Sequence, residues 1–102
     1  MNDEERQAAF AAEMDCDDAY KDKVLRSFFR EGELTSIPAQ LKKKLIVYRH
    51  IADAFEPGRE YSEGQVKAVL LGFHPDFCTL RRGLVDAGLL TRENGVYKRA
   101  ES

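Results

Sequence analysis

Residues 61–99 read YSEGQVKAVLLGFHPDFCTLRRGLVDAGLLTRENGVYKR, and this stretch decides the fold. Ser62 and Gln65 have the spacing of a Ser-x-x-Gln capping box, which opens a helix. Val66, Val69 and Leu70 give that helix a side to bury, and Gly72 marks its end. His74-Pro75-Asp76 breaks the pattern and starts a second helix near Pro75 or Asp76. That helix runs to Gly88 with Phe77, Leu80 and Leu84 inward. Leu89-Leu90-Thr91-Arg92 and Val96-Tyr97-Lys98-Arg99 flank Asn94-Gly95, a strong hairpin signal, because a type I′ turn needs positive φ at both positions. Two helices across a tight turn followed by a hairpin predict a mainly α chain with a small β-hairpin, a winged helix-turn-helix.

Upstream, Ser36-Ile37-Pro38 reads as a helix start, and the helix is expected to run to about Phe55. Leu41, Leu45, Tyr48, Ala52 and Phe55 share one face. Ile46, Val47 and Ile51 widen it, as suits a central helix covered on two sides. Residues 33–37 read as extended, a third strand for the wing sheet. Before them, Asp17 or Asp18 is a fair N-cap for a helix with Tyr20, Val24, Leu25, Phe28 and Phe29 at helical spacing, ended by Gly32. Residues 3–14 have helical propensity but little to bury. The expected division is an N-terminal helical extension over 1–32 and a winged-helix domain over 33–102. The apolar stripe of the extension has two possible partners: the 41–55 helix of its own chain, or a second copy in a homodimer.

The chain of 102 residues is long enough for one small core, and its balance of 43% hydrophobic to 33% charged residues is that of a globular protein. No apolar run approaches the roughly 20 residues of a membrane span. The acidic start, Met1-Asn2-Asp3-Glu4-Glu5, is unlike a secretory signal. A cytoplasmic location without membrane contact follows as the expectation. The net charge of −2 conceals an asymmetry. Residues 1–34 carry 10 acidic and 5 basic side chains, a balance of −5, whereas residues 35–102 carry 8 and 11, a balance of +3.

Three segments carry a resemblance: Gly32 to Ala39, Phe55 to Glu63, and Thr79-Leu80-Arg81-Arg82-Gly83-Leu84-Val85-Asp86-Ala87-Gly88-Leu89-Leu90. Together they resemble a prokaryotic domain family of unknown function, found alone or behind a helix-turn-helix domain in candidate transcriptional regulators. The resemblance spans roughly Lys21 to Arg99. It implies a winged-helix fold and nucleic-acid binding, with no established activity.

The candidate nucleic-acid contacts are Thr79, Arg81 and Arg82 on the second helix and Arg92, Lys98 and Arg99 on the hairpin. Arginine reads guanine and binds phosphate, and adjacent helical positions diverge by about 100°, so at most one of Arg81 and Arg82 points straight at a groove. Each has a purely structural alternative. An arginine can pair with Asp76 or Asp86, Thr79 can bond locally, and basic residues on a hairpin also protect its edge. Lys42-Lys43-Lys44 reads as a solvated face. His74 and Cys78 stand at a metal-like spacing, but Pro75 intervenes and further ligands are lacking, so no metal is expected. Cys16, among aspartates, is not a reactive thiol, and His50 reads as a surface residue. No catalytic constellation or cofactor motif stands out, which leaves double-stranded DNA as the expected partner and enzyme as the least favoured class. The alternative is a winged helix used for protein contacts or dimerisation without DNA. If the 24–29 helix covers Arg81 and Arg82, DNA binding through them fails.

The turn is directly testable. Replacing Asn94 and Gly95 together by Val should lower the melting temperature, because β-branched residues tolerate positive φ poorly. A double variant that melts like the parent would rule out a type I′ turn.

Overall fold

The structure, a computed structural model, is described for residues 18–100. Within them lie four helices and two small antiparallel sheets, a mixed α/β arrangement. Helix α1 (Asp18–Phe28) leads into a short hairpin of β1 (Phe29–Arg30) and β2 (Glu33–Leu34). Helix α2 (Leu41–Ala52), strand β3 (Glu60–Ser62), helix α3 (Glu63–Leu71) and helix α4 (Phe77–Asp86) follow. Strands β4 (Leu90–Glu93) and β5 (Val96–Arg99) close the chain.

The expected capping box is present at α3. The Gln65 N–H donates to Ser62 Oγ at 3.2 Å, and the Ser62 N–H donates to Gln65 Oε1 at 2.9 Å. Helix α4 starts one residue after Asp76, whose side chain caps it. Asn94 and Gly95 have φ of 52° and 77°, as a type I′ turn demands.

Three expectations need correction. The third strand beside the hairpin is β3, not residues 33–37, and the sheet order is β3-β5-β4. Tyr61 explains the choice. Its ring is buried edge-on against Phe55, 5.0 Å between centroids, and its hydroxyl accepts from the Glu56 N–H at 2.8 Å. That anchorage lays residues 60–62 along β5, with Tyr61 opposite Tyr97. Residues 33–34 pair instead with Phe29–Arg30. Gly32 (φ 83°) therefore follows Glu31 (φ 54°) in a two-residue hairpin turn rather than capping α1. Finally, α2 begins at Leu41, with Gln40 as N-cap, and residues 35–40 form a loop that buries Pro38.

One core serves all these elements. Val47, Ile51, Phe55, Val66, Leu70, Leu80, Leu84, Leu90 and Tyr97 are fully buried, and Val24 of α1 and Leu34 of β2 join them. Full burial of a large apolar side chain contributes about 1.5–3 kcal/mol. The expected boundary between residues 32 and 33 falls inside the β1–β2 hairpin. Helix α1 packs on α2 of its own chain, with Tyr20, Leu25, Phe28 and Phe29 partly buried against the core. The apolar stripe that invited a second copy is thus largely covered within the chain. The Leu34 N–H donates to the Phe73 carbonyl at 2.7 Å, and the Phe29 and Phe73 rings meet edge-on at 6.2 Å, so this hairpin is fastened to the turn between α3 and α4.

Helix α4 lies against α2 at one close contact. A Cβ on Gly83 would stand 2.5 Å from three atoms of the buried Tyr48 side chain, among them its hydroxyl. Gly83→Ala gains about 1 kcal/mol in helix propensity but forces α4 off the ring. Overpacking of this kind costs about 1–3 kcal/mol, so a net loss is expected in urea unfolding. Gly64→Ala on α3 should go the other way. Its new methyl group would meet only Ser62 Oγ at 3.9 Å, leaving the propensity gain of up to about 1 kcal/mol.

Candidate nucleic-acid interface

Helix α4 has Leu80 and Leu84 in the core and Cys78, Thr79, Arg82 and Asp86 exposed, with Arg81 and Val85 between the two sides. Arg82 stands four residues from both Cys78 and Asp86, near the centre of the outward face. It forms no ion pair among the described residues. Helix α1, whose docking could have covered this face, packs instead on α2, and its hairpin on the α3–α4 turn. No described residue covers Arg82.

Thr79 serves the helix start. Its hydroxyl donates to Asp76 Oδ2 at 2.7 Å, and its N–H donates to Asp76 Oδ1 at 3.3 Å. These two bonds are the main reason the Asp76 carboxyl titrates below its ordinary value, with His74 a lesser one. His74 contributes to the same turn through Nδ1, which accepts the Asp76 N–H at 3.0 Å. That lone pair is engaged, and no group of three or more His, Cys, Asp or Glu that could hold a metal occurs among the described residues.

Arg81 leans on Phe77, its guanidinium 5.9 Å from the ring centroid. Lys67 of α3 approaches the same ring at 5.2 Å. Both cations therefore gather at the seam between α3 and α4. Lys67 was missed in the sequence, although it follows the buried Val66 by one residue, which turns it away from the core, and lies one helical turn after Glu63. Nothing in the sequence shows that Phe77 brings it to Arg81.

The hairpin residues separate into two kinds. Arg92 pairs with Glu63 at 3.4 Å, with both side chains more than half exposed, and lies over the Tyr97 ring at 5.7 Å. Exposed pairs of this sort are worth about 0–1 kcal/mol, so a phosphate could displace Glu63. Lys98 is exposed and has no ion pair among the described residues. Arg99, by contrast, is engaged inside the fold. It donates to Asp53 Oδ1 at 3.1 Å and to the Phe55 carbonyl at 3.2 Å, tying the end of β5 to the end of α2. Of the expected basic contacts, Arg81, Arg82, Arg92 and Lys98 remain available at the surface, and Lys67 joins them.

The face is only mildly positive. Asp76 and Asp86 stand near the two ends of α4, and Arg81 and Arg82 lie between them. Both carboxylates add to the effect of burial in raising the pKa of the Tyr48 phenol, which stays neutral beneath the helix. Lys42 packs over the Tyr20 ring at 4.3 Å, which assigns it to the α1–α2 contact.

A family described as "Uncharacterized protein conserved in bacteria (DUF2087)" matches residues 33–99, and the chain belongs to that family. No curated protein and no solved structure matches it. No helix among the described residues is long and apolar enough to cross a membrane.

The Asp76 cap has a pH signature. A carboxyl whose folded pKa is depressed contributes stability that is complete above its unfolded pKa and is lost as pH falls through the folded value. Removing it by Asp76→Ala should lower the melting temperature at neutral pH. The difference from the parent should shrink as pH falls below the ordinary aspartate value of 3.8. A constant difference across the acid range would show that the carboxylate is not the cap.

Proposed function

We propose that this chain is a winged-helix DNA-binding protein, a cytoplasmic transcriptional regulator that acts by binding without chemistry. The observation that carries the reading is the outward face of α4, which no described residue covers, with Arg82 near its centre, beside a hairpin that carries Arg92 and Lys98. The order of elements supports it. Helix α2, strand β3, helices α3 and α4 and the β4–β5 hairpin follow one another as in a winged helix, with β3 paired to β5. On this reading α4 enters the major groove, Arg82 reaches a base edge, and Lys67, Arg81, Arg92 and Lys98 meet phosphates. Thr79 holds the helix start, and Arg99 holds the hairpin in place.

One observation favours the alternative, a module for protein contacts. The outer side of α3 exposes Gly64, Ala68 and Leu71, and Leu71 is 45% exposed. A large apolar side chain on a smooth helix face suits a protein partner better than DNA.

Titration with random-sequence duplex at two salt concentrations separates the readings. With two to four phosphate contacts, log K should fall with log salt at a slope of about −2 to −4. Arg82→Ala should weaken binding and leave the melting temperature nearly unchanged, whereas Arg99→Ala should lower the melting temperature. Leu71→Ser should leave DNA binding intact. No binding to any duplex at low salt would overturn the proposal.

A further inference from the structure

The outward side of α4 carries Cys78, Arg82 and Asp86, all exposed and each four residues from the next. Residues four apart on a helix lie almost in line, about 6 Å from one another along the axis. Other polar groups of α4 are already engaged. Thr79 gives its hydroxyl and its N–H to Asp76, and Arg81 is half-buried and leans on the Phe77 ring. The thiol of Cys78 hydrogen-bonds only weakly. Arg82 and Asp86 differ from these: neither side chain forms a hydrogen bond or an ion pair among the described residues.

Asp86 does nothing for the helix it ends. It is the last residue of α4, where the carbonyl end of the helix repels an anion, and the last turn has no basic residue to offset it. On a face presented to phosphates, such a carboxylate lowers affinity for every duplex unless a base donor meets it. In the major groove the donor that suits it is cytosine N4. Guanine and thymine present acceptors there, and the N6 amine of adenine stands beside the acceptor N7.

Resting on the DNA-binding reading, we propose that α4 selects two neighbouring G·C base pairs. Arg82 forks onto guanine O6 and N7 of one pair, and Asp86 accepts from cytosine N4 of the other. With base pairs stacked about 3.4 Å apart, the separation of the two side chains sets these pairs one or two steps from each other. The two residues work in opposite senses. Arg82 attracts any duplex and rewards guanine, whereas Asp86 penalises every base that does not give it a proton donor, so it supplies specificity by exclusion.

The test is selection of duplexes by the full chain from a randomised library, with sequencing of the bound fraction and titration of the enriched duplex. The expected result is enrichment of two G·C pairs at that spacing. Changing either pair to A·T should raise Kd about five- to a hundredfold. Arg82→Ala should erase the preference at the guanine and keep the one at the cytosine. Asp86→Ala should do the reverse, and should tighten binding to random duplex because a repulsive charge is gone. Asp86→Asn should move the second preference from cytosine towards adenine, whose N6 and N7 suit an amide. Melting curves of the three variants report that each is folded; a carboxylate that served only the helix would move none of these base preferences. Enrichment of no sequence, or parental preferences in Asp86→Ala, would overturn the proposal, and binding of random duplex in either case would leave the DNA-binding reading standing. Absence of binding to any duplex would overturn both.

Discussion

The Tyr48 side chain lies against the backbone of α4 at Gly83, and the presentation of α4 depends on this contact. Any side chain there would force the Tyr48 ring or α4 itself to move, and a displaced α4 would carry Leu80, Leu84 and its outward face with it. Because interiors are close-packed, a shift of a few tenths of an ångström at such a point is passed to the neighbouring elements. The cap at Asp76 and the N–H bond from Leu34 to Phe73 fix the start of α4 and the turn before it. Arg99 fixes the hairpin behind its end. What α4 offers outward is therefore set by contacts made on its inner side and at its two ends.

Much of this was legible in the sequence. Ser62 with Gln65 and Asn94-Gly95 each specify their structure through local geometry and are found as read; the helix expected to start near Pro75 or Asp76 begins at Phe77, with Asp76 as its cap. The misreadings arise where long-range contacts decide. Nothing within residues 33–37 distinguishes pairing with the hairpin from pairing with residues 29–30. The choice rests on Tyr61 burying its ring beside Phe55. Gly32 has the positive φ that a helix C′ position would also require, so the local signal was correct and its context was not. Pro38 suits a first helical turn, yet it is buried in a loop and the central helix begins only at Leu41.

The candidate site was legible to the level of residue type and surface position, but not of partner. Arg82, Arg92 and Lys98 are exposed and Arg81 is half-buried; only for the two helical arginines does spacing bear on that. Arg99 looks identical in the sequence, and only the fold brings Asp53 and the Phe55 carbonyl to it across more than forty residues. Lys67 joins Arg81 through the Phe77 ring, a meeting that no local pattern encodes. Charge is the weaker side of the proposed function. Asp76 and Asp86 offset the two arginines of α4, so affinity for DNA must come from the hairpin and from α3 as well as from α4. Such an arrangement suits modest, salt-sensitive affinity, with specificity carried by few side chains.

The most direct measurement is the pattern of amide shifts produced by a short random-sequence duplex. The account predicts the largest changes over 78–86 of α4, with a second group over 92–98 of the hairpin and a smaller one at residue 67. Little change is expected along α1 or at residues 46–53. Changes centred on residues 64, 68 and 71, or a spectrum indifferent to the duplex, would contradict it.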